Sequence, residues 1–192
     1  IREVYDLTDG DYKEIFEFCQ TQAEEKLQFL ASGIASKGWL VYNPLGFARR
    51  GMVRIADQCV ELPEEIPAFG WKVVPLPNPS CAVTVTGLTA ENPFYRLTLC
   101  KNGRIASLYD KRAAREVFTP GKAGNAFTAF SDYPFNYDNW EMSDYYPQTR
   151  FELDETAKIT PVFDGSRAGF AVRQKYLNST LLQYIWLYSD NP

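Results

Sequence analysis

Two textures of hydrophobic patterning divide the chain. Near its start, apolar side chains recur at Tyr12, Phe16, Cys19, Ala23, Leu27, Leu30 and Ile34, in steps of 4, 3, 4, 4, 3 and 4. Steps of three and four keep side chains on one face of an α-helix, so the stretch predicts an amphipathic helix. Asp11 and Glu14 stand at the spacing of a capping box, with Asp9 a competing cap. Gly33 or Gly38 can end the helix. Lys13, Glu17, Glu24, Glu25 and Gln28 occupy the other face. A single amphipathic helix must bury its stripe against something, and further helices outside the segment are the expected partners.

After Gly38 the pattern shifts to short runs of Val, Ile, Thr and aromatic residues separated by turn formers. The runs predict strands over 39–42, 51–55, 70–75, 82–86, 95–99, 105–110, 126–130, 152–162, 169–176 and 181–188. Asn43-Pro44-Leu45-Gly46, Lys101-Asn102-Gly103 and Asp164-Gly165 punctuate them. Asn102-Gly103 between two apolar runs predicts a hairpin with a type I′ turn, because both residues tolerate positive φ. Pro63, Pro67, Pro75, Pro77 and Pro79 mark 61–80 as an irregular connector. Many strands with no helical pattern among them predict a mainly β fold, an antiparallel β-sandwich preceded by one long helix. The expected division is residues 1–38 as helix and 39–192 as sandwich.

Composition narrows the chemistry. With 192 residues and 45% hydrophobic content, the chain can bury a real core. The net charge is −4 and no basic run exists, which argues against nucleic acid or an anionic membrane as partner. No apolar stretch approaches the roughly 20 residues of a membrane span. The chain contains no histidine. Ser-His-Asp and Cys-His catalysis are therefore excluded within it, and the commonest zinc ligand is missing. Cys19, Cys59, Cys81 and Cys100 are dispersed and form no C-x-x-C pair. They predict buried thiols in a reducing compartment rather than a zinc module, with two disulfides as the alternative. No catalytic residue and no metal site are expected in this chain. Ile1 is not a start residue and Asn191-Pro192 falls in mid-pattern, so the segment reads as a piece of a longer protein with its sandwich truncated.

The densest polar and aromatic cluster runs from Phe130 to Pro147. It holds seven aromatics, three Asp and one Glu in 18 residues, too irregularly alternating for one strand. A long loop in a compact domain is commonly functional. Aromatic rings stack on the apolar C–H face of a pyranose while carboxylates and amides bond its hydroxyls, so the mixture suits sugar. Asp138 and Trp140 are the leading candidates. Asp132, Asp138, Glu141 and Asp144 are also the residue type of glycoside hydrolysis, although loop spacing fixes no distance between them. Asn178-Ser179-Thr180 fits an N-glycosylation sequon, a short pattern frequent by chance. Lys111, Arg112 and Arg115 beside Asp110 and Glu116 predict a solvated or ion-paired turn.

Several of these stretches, in order, resemble glycoside hydrolase family 38 α-mannosidases. Asn102-Gly103-Arg104-Ile105 through Asp110-Lys111-Arg112 to Arg115-Glu116-Val117 resembles the family's Asn-Gly…Asp-Lys…Arg-Glu segment. Asp132-Tyr133-Pro134 followed by Tyr137-Asp138-Asn139-Trp140-Glu141-Met142 is similar to its D-x-P…W-D-A-W-D-I segment. Here Tyr137 replaces the first Trp, Asn139 replaces Ala, and Glu141-Met142 replaces Asp-Ile. Val41-Tyr42-Asn43-Pro44-Leu45-Gly46-Phe47-Ala48-Arg49-Arg50 resembles the lead-in to the family's β-region, and Gln183–Tyr188 a later strand of it. The bacterial and cytosolic branch is the most similar.

The resemblance implies a fold of galactose-mutarotase-like sandwich type, with residues 1–38 as the last helix of a helical middle domain. It implies a parent enzyme that is a retaining, zinc-dependent α-mannosidase of oligosaccharides, cytoplasmic and bacterial. The zinc ligands and the nucleophile would lie in an N-terminal catalytic domain outside this chain. The implied partners are an α-mannoside oligosaccharide and the catalytic and helical domains of the same polypeptide, with a homo-oligomer left open. Tyr137, Asp138 and Trp140 would line the mannose site from the β-domain side. Two alternatives stand beside this reading: a carbohydrate-binding module, and a purely structural sandwich.

Overall fold

The computed structural model describes residues 2–75, 81–131, 133, 137 and 144–189. One helix, α1 (Arg2–Ser32), precedes the strands. In chain order these are β1 (Trp39–Tyr42), β2 (Met52–Ile55), β3 (Gln58–Glu61), β4 (Trp71–Val74), β5 (Thr84–Thr86), β6 (Thr89–Glu91), β7 (Tyr95–Leu99), β8 (Ile105–Asp110), β9 (Arg115–Glu116), β10 (Thr128–Ala129), β11 (Phe151–Glu152), β12 (Lys158–Asp164), β13 (Arg167–Tyr176) and β14 (Ser179–Tyr188). Two compact units result: Ile1–Arg50 with Pro63–Pro77, and Gly51–Leu62 with Asn78–Pro192.

In the first unit, α1 is a continuous helix of 31 residues with none buried. It begins well before Asp11, so the expected capping box lies inside the helix and caps nothing. Gly33 does mark the end, where its N–H bonds the Leu30 carbonyl at 3.3 Å. The apolar face is wider than the predicted stripe. Val4, Ile15, Phe18 and Phe29 are 56–81% exposed and extend it to roughly half the circumference at 100° per residue. The same unit holds β1 and β4, paired antiparallel with Tyr42 opposite Trp71. Asn43 organises the turn that follows β1. It is 3% exposed, its Oδ1 accepts from the Leu45 N–H at 3.1 Å, and its Nδ2 faces the carbonyls of Phe47, Ile66 and Pro67 at 2.8–3.2 Å. Ile66, 1% exposed and bridged to Arg49, gives order to the proline-rich connector.

The second unit is the sandwich. β5 to β9 form an antiparallel meander, and β12, β13 and β14 form a second antiparallel sheet. Alternate residues of each strand point between the sheets. Val83, Ala90, Leu97 and Leu99 on one side meet Ala168, Phe170, Val172 and Leu187 on the other. Phe170, Ala168 and Val172 are all at 0% exposure, which places the centre of the core on β13. The β2–β3 hairpin joins this unit through a polar clamp. Asp164 accepts from the Cys59 N–H at 2.9 Å, from Arg54 at 3.0 Å and from Arg167 at 2.6 Å.

Two turns show how the sequence reaches this register. Gly165 opens the two-residue loop between β12 and β13 with φ 63, and a Cβ there would lie 2.0 Å from the Cys59 carbonyl oxygen. The Asn102-Gly103 hairpin forms, but not through a type I′ turn. Only Gly103 has positive φ (83), and its N–H bonds the Cys100 carbonyl at 3.0 Å. The geometry is a type I turn closed by a glycine bulge, and the register shifts at Thr98/Leu99. A Cβ on Gly103 would stand 2.4 Å from Val172 Cγ1, so close approach across the sandwich selects glycine there.

Other expectations are corrected. β3, β6 and β9 were not predicted, since two to four residues display too little alternation to read. The run over 152–162 divides into β11 and β12. All four cysteines are free thiols, yet Cys19 and Cys81 are exposed and only Cys59 is buried.

Candidate functional site

The aromatic loop rises from a built stem. β10 and β11 pair antiparallel, Thr128 with Glu152 and Ala129 with Phe151. Above them the Phe130 and Tyr146 rings stack at 4.3 Å and 12°. Tyr146–Thr149 forms a single 3-10 turn, started by Pro147 in its first positions. Thr149 Oγ1 accepts from the Ser131 N–H at 3.1 Å and donates to the Tyr146 carbonyl at 2.9 Å, tying the two limbs together. The Tyr145 hydroxyl donates to the Tyr133 carbonyl. Of the three predicted sugar residues, Tyr137 is 64% exposed. Asp138 and Trp140 lie outside the described residues, as do Asp132 and Glu141. Asp144 is exposed at the return of the loop.

Below the return limb lies a cleft of about 470 Å³ between residues 151–155 and 174–177. Its apolar surface comes from Phe151 and Tyr176, whose rings sit 5.2 Å apart. Its polar surface comes from Glu152, Asp154, Glu155, Gln174 and Lys175. Arg104 holds the acidic side, at 2.8 Å from Glu152 and 3.7 Å from Asp154. Its Nε is buried and has no partner among the described residues. Asn102 Nδ2 donates to Asp154 at 2.5 Å, and the buried Gln174 donates to the Asn102 carbonyl at 2.7 Å. Carboxylates and an amide beside two rings can bind a polyol with an apolar face. They present no nucleophile paired with a base. Sequence reasoning missed this cleft. The one trace of it was Gln174, a polar residue at an inward position of an otherwise apolar strand.

The remaining charged groups serve the fold. Lys111 bonds Glu91 at 2.7 Å, and that hydrogen bond holds the Glu91 carboxyl below the usual carboxylate range. Asp110 is lowered by hydrogen bonds from the Ala113 and Arg112 N–H groups. Arg112 lies over the Phe94 ring at 5.1 Å, and both Arg112 and Arg115 are exposed, so the turn is a solvated one whose Lys111 pairs outside the cluster, with Glu91. Glu116 is lowered by the Ser107 hydroxyl first and then by the Leu108 N–H. At Asp164, burial pushes the carboxyl up. The bonds from Arg167 and the Cys59 N–H, with the charges of Arg167 and Arg54, outweigh burial and leave it lowered.

The family resemblance implies zinc in the parent enzyme. The chain has no histidine, and among the described residues no group of three or more His, Cys, Asp or Glu could hold a metal ion. The donor set here does not fit zinc. No described helix is long and apolar enough to cross a membrane.

The sandwich and the acidic cleft beside β11 and β13 lie within a stretch that matches a known family. The chain belongs to glycosyl hydrolase family 38: the family's C-terminal domain matches residues 90–192, from β6 through β14. It is 32% identical over 96 residues to the human protein alpha-mannosidase 2C1, covering 44% of this chain and 9% of that protein. It is 29% identical over 129 residues to alpha-mannosidase 2C1 of mouse, covering 59% of this chain and 12% of that protein. The chain thus spans about a tenth of the length of these relatives. Neither relative indicates a bacterial origin.

Proposed function

We propose that the chain is the β-domain portion of a retaining, zinc-dependent α-mannosidase that hydrolyses terminal α-mannosides of oligosaccharides. The observation that supports this most is the family match over the sandwich, joined to two relatives that are both named α-mannosidases. Retention proceeds by double displacement through a glycosyl-enzyme that water hydrolyses. Since the residues here do not fit zinc, the metal and the attacking carboxylate belong to the catalytic part of the parent polypeptide. The role of this chain is to shape one wall of the mannose site. Tyr137 and Trp140 offer ring faces to the pyranose C–H surface, and Asp138 accepts hydrogen bonds from its hydroxyls.

In the intact enzyme, Asp138→Ala and Trp140→Ala should each lower kcat/KM for an aryl α-mannoside about 10- to 100-fold, the value of one hydrogen bond to a charged group or one stacking contact. The 192-residue chain alone should release no product from the same substrate. Normal kinetics in both variants, with an unchanged melting temperature, would remove the assigned residues.

The cleft favours a second reading, a carbohydrate-binding module. Calorimetric titration of the chain with α-mannobiose separates the two: saturable binding abolished by Tyr176→Ala supports the module, and silence supports an incomplete site.

A further inference from the structure

Among the described residues the two facing sheets have four edge strands, and three of them are protected. β5 has three residues and β9 has two, too short to template a partner. β12 carries Lys158, Pro161 and Asp164, and an edge with charges and a proline resists added strands. β14 has none of these devices. Its ten residues, Ser-Thr-Leu-Leu-Gln-Tyr-Ile-Trp-Leu-Tyr, include no charge, no proline and no glycine. It pairs with β13 over ten successive positions without a register shift. A long, regular, uncharged edge is the feature that soluble proteins avoid exposing.

The direction of its free backbone groups follows from the register. The two-residue loop after Tyr176 closes on the pair Tyr176 and Ser179, which exchange hydrogen bonds. Bonding alternates from there, so the odd-numbered residues of β14 use their N–H and C=O on β13. The even-numbered residues Thr180, Leu182, Tyr184, Trp186 and Tyr188 direct theirs outward. Two bonds agree with this parity. The Tyr188 carbonyl accepts from Asn92 Nδ2 at 2.8 Å on the outer side, and the Ser189 N–H returns to the Ser166 carbonyl at 2.9 Å on the inner side. Among the described residues, no other backbone group meets the outward N–H or C=O of Thr180, Leu182, Tyr184 or Trp186.

We propose that these outward groups pair with a further β-strand supplied by the same polypeptide, so that β14 is an interior strand of a larger sheet. The inference rests on the reading of the chain as one part of a longer glycosidase. The occupant follows from three facts. The chain spans 9% and 12% of its relatives, so ample polypeptide lies elsewhere. The family's domain match runs through the whole of β14. A strand with no charge needs cover at every protein concentration, which a tethered partner provides and a free one does not. The added strand would lay side chains beside Leu182, Tyr184 and Trp186, of which Leu182 and Tyr184 are 42% and 57% exposed here.

Residue-resolved hydrogen–deuterium exchange on the intact polypeptide tests this. The amides of Leu182, Tyr184 and Trp186 should exchange about a hundredfold more slowly than exposed turn amides such as Asn178. Tyr184→Pro, which deletes one outward N–H and leaves the β13 bonds alone, should lower the melting temperature well beyond Tyr184→Ala. Fast exchange at the three even-numbered amides, with Tyr184→Pro no worse than Tyr184→Ala, overturns the proposal. Protection that disappears on dilution also overturns it, by making the occupant a second copy. Hydrolysis of an aryl α-mannoside by the same preparation reports separately on the parent activity.

Discussion

Phe16 of α1 is 69% exposed, whereas Phe170 of β13 is at 0%. Both occupy regular apolar positions in elements of confident periodicity, and their fates differ completely. The helix has an apolar arc covering half its circumference and buries no residue. The second unit, with strands individually no more apolar, closes two sheets over a common centre. The difference teaches that hydrophobic period specifies an element and its inward face, while burial depends on what that face meets. An arc as wide as that of α1 contacts neighbours on more than one side when it is buried, as helices inside bundles do.

The sandwich is most sensitive at its centre. Phe170→Ala should destabilise the chain by about 3–5 kcal/mol, because the emptied volume lies between two sheets that cannot collapse around it. Chemical denaturation should show this as a lower midpoint with an unchanged slope.

A smaller loss is expected at the clamp. Asp164→Ala leaves Arg167 and the Cys59 N–H without their partner and should cost roughly 2–3 kcal/mol. The same group sets an acid limit. Its folded pKa lies below the ordinary carboxylate value of 3.8, so the stabilisation is complete above that value and disappears as pH falls beneath it. Glu116 and Asp110 are lowered in the same sense. Acid titration of the Asp164→Ala variant should show a shallower decline than the wild-type chain in this range.

The smallest effect belongs to the helix. Phe16→Ser should change the stability of this chain by less than about 0.5 kcal/mol, the usual range for an exposed site. In the intact polypeptide the same substitution should become costly. A large loss in the chain alone would show that Phe16 is buried in solution.

The strands at 39–42, 95–99 and 105–110 were legible to the residue because the first is an apolar run between Gly38 and Asn43 and the other two flank the Asn102-Gly103 turn. The start of α1 was not, since Asp9 and Asp11 imitate caps while the helix continues past them to Arg2. The turn type at Asn102-Gly103 was misread because the dipeptide suits two geometries, and packing of Gly103 against Val172 chose between them. Tyr137 and the stem of the aromatic loop were visible as composition. The cleft was not, because Arg104, Glu152 and Gln174 are brought together from three elements and share no local pattern. Asn43 and Asn92 make a parallel case. Each precedes a proline, each is 3% exposed, and each accepts from the N–H two residues on, at 3.1 and 2.9 Å. The sequence showed a turn at the first and nothing of the second.

The hairpin glycine has one more consequence, for chemical ageing. An Asn-Gly peptide degrades when the glycine nitrogen attacks the asparagine side-chain carbonyl and expels ammonia, forming a succinimide that water then opens to aspartate or isoaspartate. Here the Gly103 nitrogen is engaged by Cys100, and both ends of the Asn102 amide are held, by Asp154 and by the Arg104 N–H. The attack geometry is reached only when the hairpin opens. Once converted, a new carboxylate would face Asp154 and oppose reclosure. Asn102 therefore works as a one-way clock, whose reading is the time each molecule has passed unfolded.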